Sequence, residues 1–340
     1  MELSEIIARE LEIPKTVIAE ALNNPHRQVK IFTIPKRKGG ERRIFHPSRK
    51  IKIIQYWLIE NIFKQMPTST HAAAYQPGSS ILKNAKNHQE NIYFVKADLE
   101  NFFPSISYQD FRPHLQDWHA EKNPCWPLTQ EAEDLIRQSC FYINDKLAIG
   151  YPCSPIISNI VMKPFDELLF SKLKGIKAEN IKYTRYADDI TISAKNQRQS
   201  IIFKTLSETI KNCTSPKIRI NAEKTRFEKT NSGIVSVTGL KITHDNRITL
   251  YKKYKDQARL LLSLTKKGKI DESEYPKILG HINYIKSSDP AFYNKLHTKY
   301  LNEIQKIQQF PASKIVKAEL GKAITMALSD HTKKEDHTQN

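Results

Sequence analysis

No stretch of the 340-residue chain stays apolar for the roughly 20 residues that a membrane-crossing helix needs. That excludes helical membrane proteins and predicts no membrane partner. The first residues, Met1-Glu2-Leu3-Ser4-Glu5, lack the basic start and apolar core of a secretory signal, so a cytoplasmic location is expected. Cysteine is scarce. Cys125, Cys140, Cys153 and Cys213 form no CxxC spacing, which argues against a zinc site or a disulfide framework and predicts reduced, partly buried thiols. No internal repeat is present, which removes solenoid architectures. Acid is also in short supply: 36 acidic residues against 54 basic ones leave a net charge of +18. Such an excess favours a polyanionic partner, nucleic acid ahead of anionic membrane, because each neutralised phosphate releases condensed counterions.

The 39% hydrophobic content supports sizeable cores, and the length permits one large domain or two to three subdomains. Leu3, Ile6, Ile7 and Leu11 share a helical face, and Pro14 separates them from a second short helix with Val17, Ile18, Ala21 and Leu22. Val29 to Ile34 alternates as a strand. Gly39-Gly40 signals a tight turn before Arg42-Arg43-Ile44-Phe45, so a basic β-hairpin is expected. Residues 50–65 carry helical spacing, 92–99 a buried strand, and the region around 130–142 another helix. Gly150 to Pro155 marks a loop entering a helix that runs to about Leu173. Residues 181–194 read as strand, turn, strand, followed by a helix near 198–212 and strands near 217–220 and 234–243. From about residue 251 the pattern is helical and basic, and the polar tail from Ser329 to Asn340 reads as disordered. The order predicts an α+β sheet core flanked by two basic arms.

The stretch Thr184-Arg185-Tyr186-Ala187-Asp188-Asp189-Ile190-Thr191-Ile192-Ser193 puts two adjacent carboxylates between alternating strands. Aspartate tolerates turn geometry, so a plain solvent-exposed turn explains the pair taken alone. Asp98, at the end of the apolar strand Ile92 to Ala97, supplies a third carboxylate. Two acid-bearing strand ends can form one oxygen cage, the donor set that Mg²⁺ prefers. Two such ions about 3.5–4 Å apart clamp the attacking and leaving oxygens of a phosphoryl displacement.

Phe94-Val95-Lys96-Ala97-Asp98 with Phe102-Phe103, then Gly150 with Ser154-Pro155, then Tyr186-Ala187-Asp188-Asp189, resemble the ordered palm motifs of reverse transcriptases over roughly residues 29–300. The resemblance implies a right-hand polymerase fold, with fingers, a palm built on an antiparallel sheet, and a helical thumb. It implies N-terminal helices and fingers at 1–91, palm at 92–110, a fingers insertion at 111–154, palm again at 155–245, thumb at 246–328 and a tail at 329–340. Two Mg²⁺ ions on Asp98, Asp188 and Asp189 are the implied cofactors, and deoxynucleoside triphosphates the substrates.

Further residues gain expected roles. Lys36 and Arg43, on opposite arms of the hairpin, can close over a triphosphate; the alternative is a general RNA-contacting patch in which Arg37, Lys38 and Arg42 compete. In similar enzymes an aromatic at the position of Phe103 excludes the ribose 2′-hydroxyl; the alternative is core packing, and Phe102 competes. Gly150 lets backbone approach nucleotide or template closely, and Tyr186 joins this nucleotide-binding set. Ile149 stands where most relatives have glutamine and cannot make that side chain's hydrogen bond. Lys224 matches a lysine able to protonate the leaving pyrophosphate, against the alternative of one more solvated lysine.

Asn84-Ala85-Lys86-Asn87-His88 and Val237-Thr238-Gly239 resemble two signatures of bacterial retron reverse transcriptases. This implies RNA recognition through Asn84, His88, Val237, Thr238 and Gly239. It also implies that the enzyme copies part of its own noncoding RNA from an internal guanosine 2′-hydroxyl into a branched RNA–DNA hybrid (msDNA). An antiphage role with a separate effector protein follows from the same resemblance. Lys252, Lys253, Lys255, Arg259, Lys266, Lys267 and Lys269 suit a thumb that grips phosphates, and the length leaves no room for an RNase H domain. Competing readings are a group II intron or diversity-generating reverse transcriptase, and a non-catalytic RNA-binding scaffold on a polymerase fold.

Overall fold

A computed structural model describes residues 1–36, 39–196 and 198–310. The chain divides between Thr238 and Gly239 into two compact units. Arg37 and Lys38 of the hairpin, and the tail expected beyond residue 328, lie outside the described residues. No helix among the described residues is long and apolar enough to cross a membrane.

The first unit opens with helices α1 (Leu3–Glu10) and α2 (Lys15–Leu22), separated at Pro14 as its fixed φ and missing donor require. Strands β1 (Val29–Pro35) and β2 (Glu41–Pro47) form the expected hairpin, with Thr33 opposite Arg43 and Ile34 opposite Arg42. Helix α3 (Arg49–Asn61) starts at Ser48, whose hydroxyl accepts the Ile51 amide, and buries Ile51, Ile54, Trp57 and Leu58. After α4 (Ile81–His88), strand β3 (Tyr93–Asp98) carries Phe94, Val95 and Ala97 into the core.

Short α5 (Phe102–Ser105) leads into α6 (Tyr108–Lys122), an addition to the expected elements. A Ser107–Asp110 capping box starts α6, and Tyr108, Phe111, Leu115 and Trp118 bury one face in spite of the internal Pro113. Helices α7 (Gln130–Cys140), α8 (Ser154–Val161) and α9 (Lys163–Gly175) complete the packing beside the sheet. Strands β4 (Lys182–Tyr186) and β5 (Asp189–Ala194), helix α10 (Gln199–Lys211), and strands β6 (Arg226–Lys229) and β7 (Val235–Val237) follow. The central sheet is antiparallel with order β4-β5-β3-β6.

The strand expected at 217–220 does not form. Its residues run past the end of β3, where the Glu100 amide donates to the Arg219 carbonyl and the Asn221 amide to the Asp98 carbonyl. Only an isolated bridge, Leu99 to Ile220, results, because the partner chain turns away into α5; the sheet edge is β6 instead. All four cysteines are free thiols. Cys140 and Cys153 are buried and Cys213 half-buried, but Cys125 is exposed rather than partly covered.

The second unit contains β8 (Leu240–Ile242) paired with β9 (Ile248–Thr249), then helices α11 (Lys252–Lys266), α12 (Tyr275–Ser288), α13 (Pro290–Lys299) and α14 (Leu301–Gln308). Leu262, Ile278, Ile282, Ile285, Phe292 and Ile304 form its interior. Asp289 caps α13 by accepting the Phe292 amide and also receives the Thr249 hydroxyl and the Leu250 amide. Among the basic residues of α11, Lys255 is held by Asp289 at 2.9 Å and Arg259 by Asp256 at 2.7 Å, whereas Lys252 and Lys253 are exposed.

Candidate active site

β3 and β5 pair so that Asp98 stands opposite Asp189. Residues so opposed have Cα atoms about 5 Å apart. The Leu99 amide donates to the Asp188 carbonyl at 2.9 Å, so the backbone beyond Asp98 stays attached to the turn that carries the other two acids. Side chains separated by some 90 residues of sequence therefore converge at one end of the sheet.

Their electrostatics call for a cation. Burial and then the Asp98 charge raise the Asp188 carboxyl above its ordinary range. Desolvation by the crowded sheet end, then the Asp188 and Asp98 carboxylates, raise Asp189 to about 6, although part of this residue still reaches solvent. Lys224, in the turn before β6, donates to Asp98 Oδ1 at 2.7 Å; that hydrogen bond holds its own ammonium above the usual value. Three carboxylates so placed, with Lys224 relieving their repulsion only in part, fit a hard divalent ion. Among the described residues no three His, Cys, Asp or Glu side chains are already gathered as a ligand cage. Asp98 is turned to Lys224, so gripping an ion there means exchanging the ammonium for it.

The turn itself is braced from beneath. Ala187 has φ +57°, a conformation that costs an L-residue of order 1 kcal/mol. Arg185, wholly buried, donates to the Ala187 carbonyl and to Asn159 Oδ1, both at 3.3 Å, and forks onto Asp166 at 2.9 and 2.7 Å. The Tyr183 hydroxyl also donates to Asp166, at 2.6 Å. A planar guanidinium satisfied on so many sides fixes the backbone on which Asp188 and Asp189 sit.

A loop before α4 runs beside this turn. Ala72 bridges Arg185 in parallel, the Ala73 amide donates to the Arg185 carbonyl, and the Ala74 carbonyl accepts from buried Asn159. Tyr75 follows this segment and lies within electrostatic range of Asp188. Tyr75 is exposed at φ +60°, and burial of its hydroxyl, then the charges of Asp188 and Tyr186, raise its pKa.

The hairpin cations have distinct surroundings. Burial raises both the Asp188 carboxyl and the Tyr75 hydroxyl, and the charge of Arg42 opposes that rise slightly at each, so Arg42 lies within electrostatic range of the acids. Arg43 instead lies over the Phe45 ring, 5.6 Å from its centroid. Both are exposed, as is Lys36, whose amide donates to the Gly40 carbonyl at the hairpin mouth. Gly150, at φ +106°, meets this hairpin rather than open space: a Cβ there would stand 2.6 Å from the Phe45 carbonyl oxygen. The neighbouring Ile149 uses its backbone, its carbonyl accepting the Phe45 amide at 2.8 Å. Phe102 is buried against Arg185, whereas Phe103 keeps a half-exposed ring.

The residues expected to recognise RNA are largely interior. His88 is fully buried between Ser193 Oγ at 2.7 Å and Thr184 Oγ1 at 2.8 Å. Burial drives its pKa down to about 3, so the imidazole is neutral. Asn84 is buried, and its amide oxygen has no hydrogen-bond partner. Val237 is buried too; the Thr238 hydroxyl donates to the Ile81 carbonyl, and Gly239, at φ +82°, begins the second unit. That hydrogen bond ties the Val237-Thr238-Gly239 segment to the first turn of α4, the helix that carries Asn84 and His88.

The family described as reverse transcriptase (RNA-dependent DNA polymerase) matches residues 34–282. The chain is 39% identical to the Retron Ec73 reverse transcriptase of Escherichia coli over 91% of its own length and 98% of that protein's. The Retron Ec83 reverse transcriptase, also from Escherichia coli, is 33% identical over 82% of this chain and 88% of its own. The chain belongs to the retron reverse transcriptases. This retron reverse transcriptase is an RNA-directed DNA polymerase with a right-hand α+β fold, and its family works with divalent metal ions and an RNA template. The group II intron and diversity-generating readings give way to it, as does the non-catalytic scaffold. Among solved structures, a telomerase from Candida albicans determined with a fragment of telomeric RNA aligns with a TM-score of 0.47 at 13% identity, over 85% of this chain. The retron enzyme spans only 60% of that telomerase chain, and so loose a likeness decides nothing further.

Sequence reasoning missed Tyr75 and the pairing of Arg185 with Asp166, and it named Arg42 only as a competitor of Arg43. An arginine in a buried strand is a signal for a buried pair, but its acidic partner lies in a helix 19 residues earlier with no motif around it. Nothing in the run Arg42-Arg43 separates the two; only the strand register does.

Proposed function

We propose that this retron reverse transcriptase copies part of its own structured noncoding RNA, in the cytoplasm, into DNA that begins on the 2′-hydroxyl of an internal guanosine. The product is a branched RNA–DNA hybrid, msDNA, serving an antiphage system with a separate effector protein. The observation that carries the polymerase chemistry is the register of β3 and β5, which sets Asp98 opposite Asp189 with Asp188 hydrogen-bonded beside them. Similarity to retron enzymes over nearly their full length supports the choice of RNA and priming group.

In this reading Asp98, Asp188 and Asp189 hold two Mg²⁺ ions, which supply Lewis acidity to the attacking hydroxyl and the triphosphate. Lys224, already protonated beside Asp98, donates a proton to the departing pyrophosphate. Lys36, Arg42 and Arg43 receive the triphosphate, and Tyr186 and the Phe103 ring line the sugar pocket. Gly150 keeps the hairpin seated over that pocket. Residues 1–91 and 111–154 act as fingers, 92–110 and 155–245 as palm, and 246–328 as thumb. Asn84, His88 and Val237-Thr238-Gly239 support an RNA-facing surface from within.

The test expresses the full chain with its neighbouring RNA locus and sequences the nucleic acid that copurifies. A DNA strand joined to a guanosine 2′-oxygen, released by a debranching enzyme and absent from Asp188→Ala, is expected. DNA with no RNA branch, or branch formation by Asp188→Ala, would overturn the reading.

A further inference from the structure

The end of the sheet remote from the acids carries a cleft of about 840 Å³ between edge strand β6 and helix α10. Tyr93, the first residue of β3, lines it, five strand steps or roughly 17 Å from Asp98, and Phe227, opposite Val95, lies three steps or roughly 10 Å from it.

Its lining has an unusual mixture. Phe227 stands 51% exposed on the edge strand, an unfavourable place for a large ring in water. It meets Phe203 edge-on, with centroids 5.4 Å apart, so one face of an aromatic pair remains open. Lys229 lies 5.0 Å over the Tyr93 ring, and Lys204 reaches the cleft from α10 with only a loose 3.9 Å contact to Glu208. None of the described lining residues is acidic, and Ser207 adds a hydroxyl.

We infer that this cleft is a second RNA-binding site, holding an unpaired segment whose base stacks on Phe227 while Lys204 and Lys229 neutralise its phosphates. Open aromatic faces bind bases of any sequence, and flanking cations follow the backbone. A protein strand on the β6 edge would fit the unpaired backbone but gains nothing from the cations. RNA is favoured over DNA because the Ser207 hydroxyl can pair with a ribose 2′-hydroxyl, the group that distinguishes the two. Holding an unpaired stretch here tethers the enzyme to one RNA while its paired region is copied at the other end of the sheet. The inference deepens the proposed reading of a dedicated RNA, but oligonucleotide binding tests it apart from branch formation.

The experiment uses the full chain carrying Phe227→Trp. Trp57, Trp118 and Trp126 are each at most 7% exposed, so the new indole is the solvent-facing emitter. Titration with a 12-nucleotide oligo(U) should quench it, with oligo(dT) binding more weakly. Adding Lys204→Glu and Lys229→Glu should raise the half-saturation about tenfold. Extension of saturating oligo(dT)-primed poly(rA) should be unchanged. If the double reversal lowers the melting temperature, Lys204→Gln and Lys229→Gln taken singly should each give a smaller shift in the same direction. No quenching, or quenching indifferent to both lysines, overturns the inference, and tighter binding of oligo(dT) overturns the assignment to RNA.

Discussion

The first unit holds two hairpins that share a backbone plan and differ in their surroundings. β4–β5 is buried along nearly its whole length and is braced by Arg185 on Asp166. β1–β2 is exposed over Lys30–Lys36 and Gly39–Arg43, with Ile31, Phe32 and Ile34 in solvent, and touches the rest of the unit near Phe45 and Gly150. The buried hairpin carries groups whose mutual placement must survive strong repulsion, so rigidity serves it. The exposed one presents Lys36, Arg42 and Arg43 to solvent and is anchored along a single edge, where Phe45 meets Ile149 and Gly150.

The largest effect is expected at the tip of the braced hairpin. Asp189→Ala should cut DNA synthesis at least about a thousandfold, because it removes a charge-stabilising group at the reacting centre. It should melt no lower than wild type, since it also removes a carboxylate whose raised pKa records repulsion. A lowered melting temperature would mean that the acid is structural. Asp166→Ala should cost roughly 3–5 kcal/mol, because it strands a buried guanidinium; denaturant titration reads this directly. A loss under 1 kcal/mol would show that the turn does not need its brace.

Gly150→Ala should separate the exposed hairpin from its anchor, since both the positive φ and the Phe45 carbonyl oppose a side chain. An increase in KM for deoxynucleotides of about tenfold, with a stability loss of about 2 kcal/mol, is expected. Acid should act on the braced side. An unfolded imidazole takes a proton near 6.5, but buried His88 only near 3, so between those values unfolding takes up a proton and stability falls as pH falls. The wild-type advantage over His88→Gln should shrink by about 2 kcal/mol between pH 7 and pH 5. An advantage that stays flat with pH would show that His88 protonates in the fold. The smallest effect separates Arg42 from Arg43. Arg42→Ala should raise the deoxynucleotide KM about tenfold and Arg43→Ala about twofold, as one lost charge-assisted contact predicts; the reverse order would move the triphosphate to the other face.

Much of the site was legible because its chemistry is local. A strand ending in Asp98 and an Asp188-Asp189 turn between alternating strands read directly as acids at a sheet's end, and the Gly39-Gly40 turn announced the exposed hairpin. The element α6 was hidden by Pro113, and the 217–220 alternation misled because strand pattern alone does not supply a pairing partner. The roles of His88 and Asn84 were not legible either: a histidine four residues from an asparagine marks a helix face without saying whether water or Thr184 and Ser193 lie against it.

By itself the sequence determined the α+β class, the three acids, the basic excess and the two retron signatures, all of which depend on residue type and short-range periodicity. The tertiary structure alone decided that Asp98 pairs in register with Asp189, that Arg185 finds Asp166, that Arg43 lies over the Phe45 ring, and that the Phe227 ring is left uncovered. Those are long-range pairings and burials. They follow from how strands register and helices pack, which no short window of residues encodes.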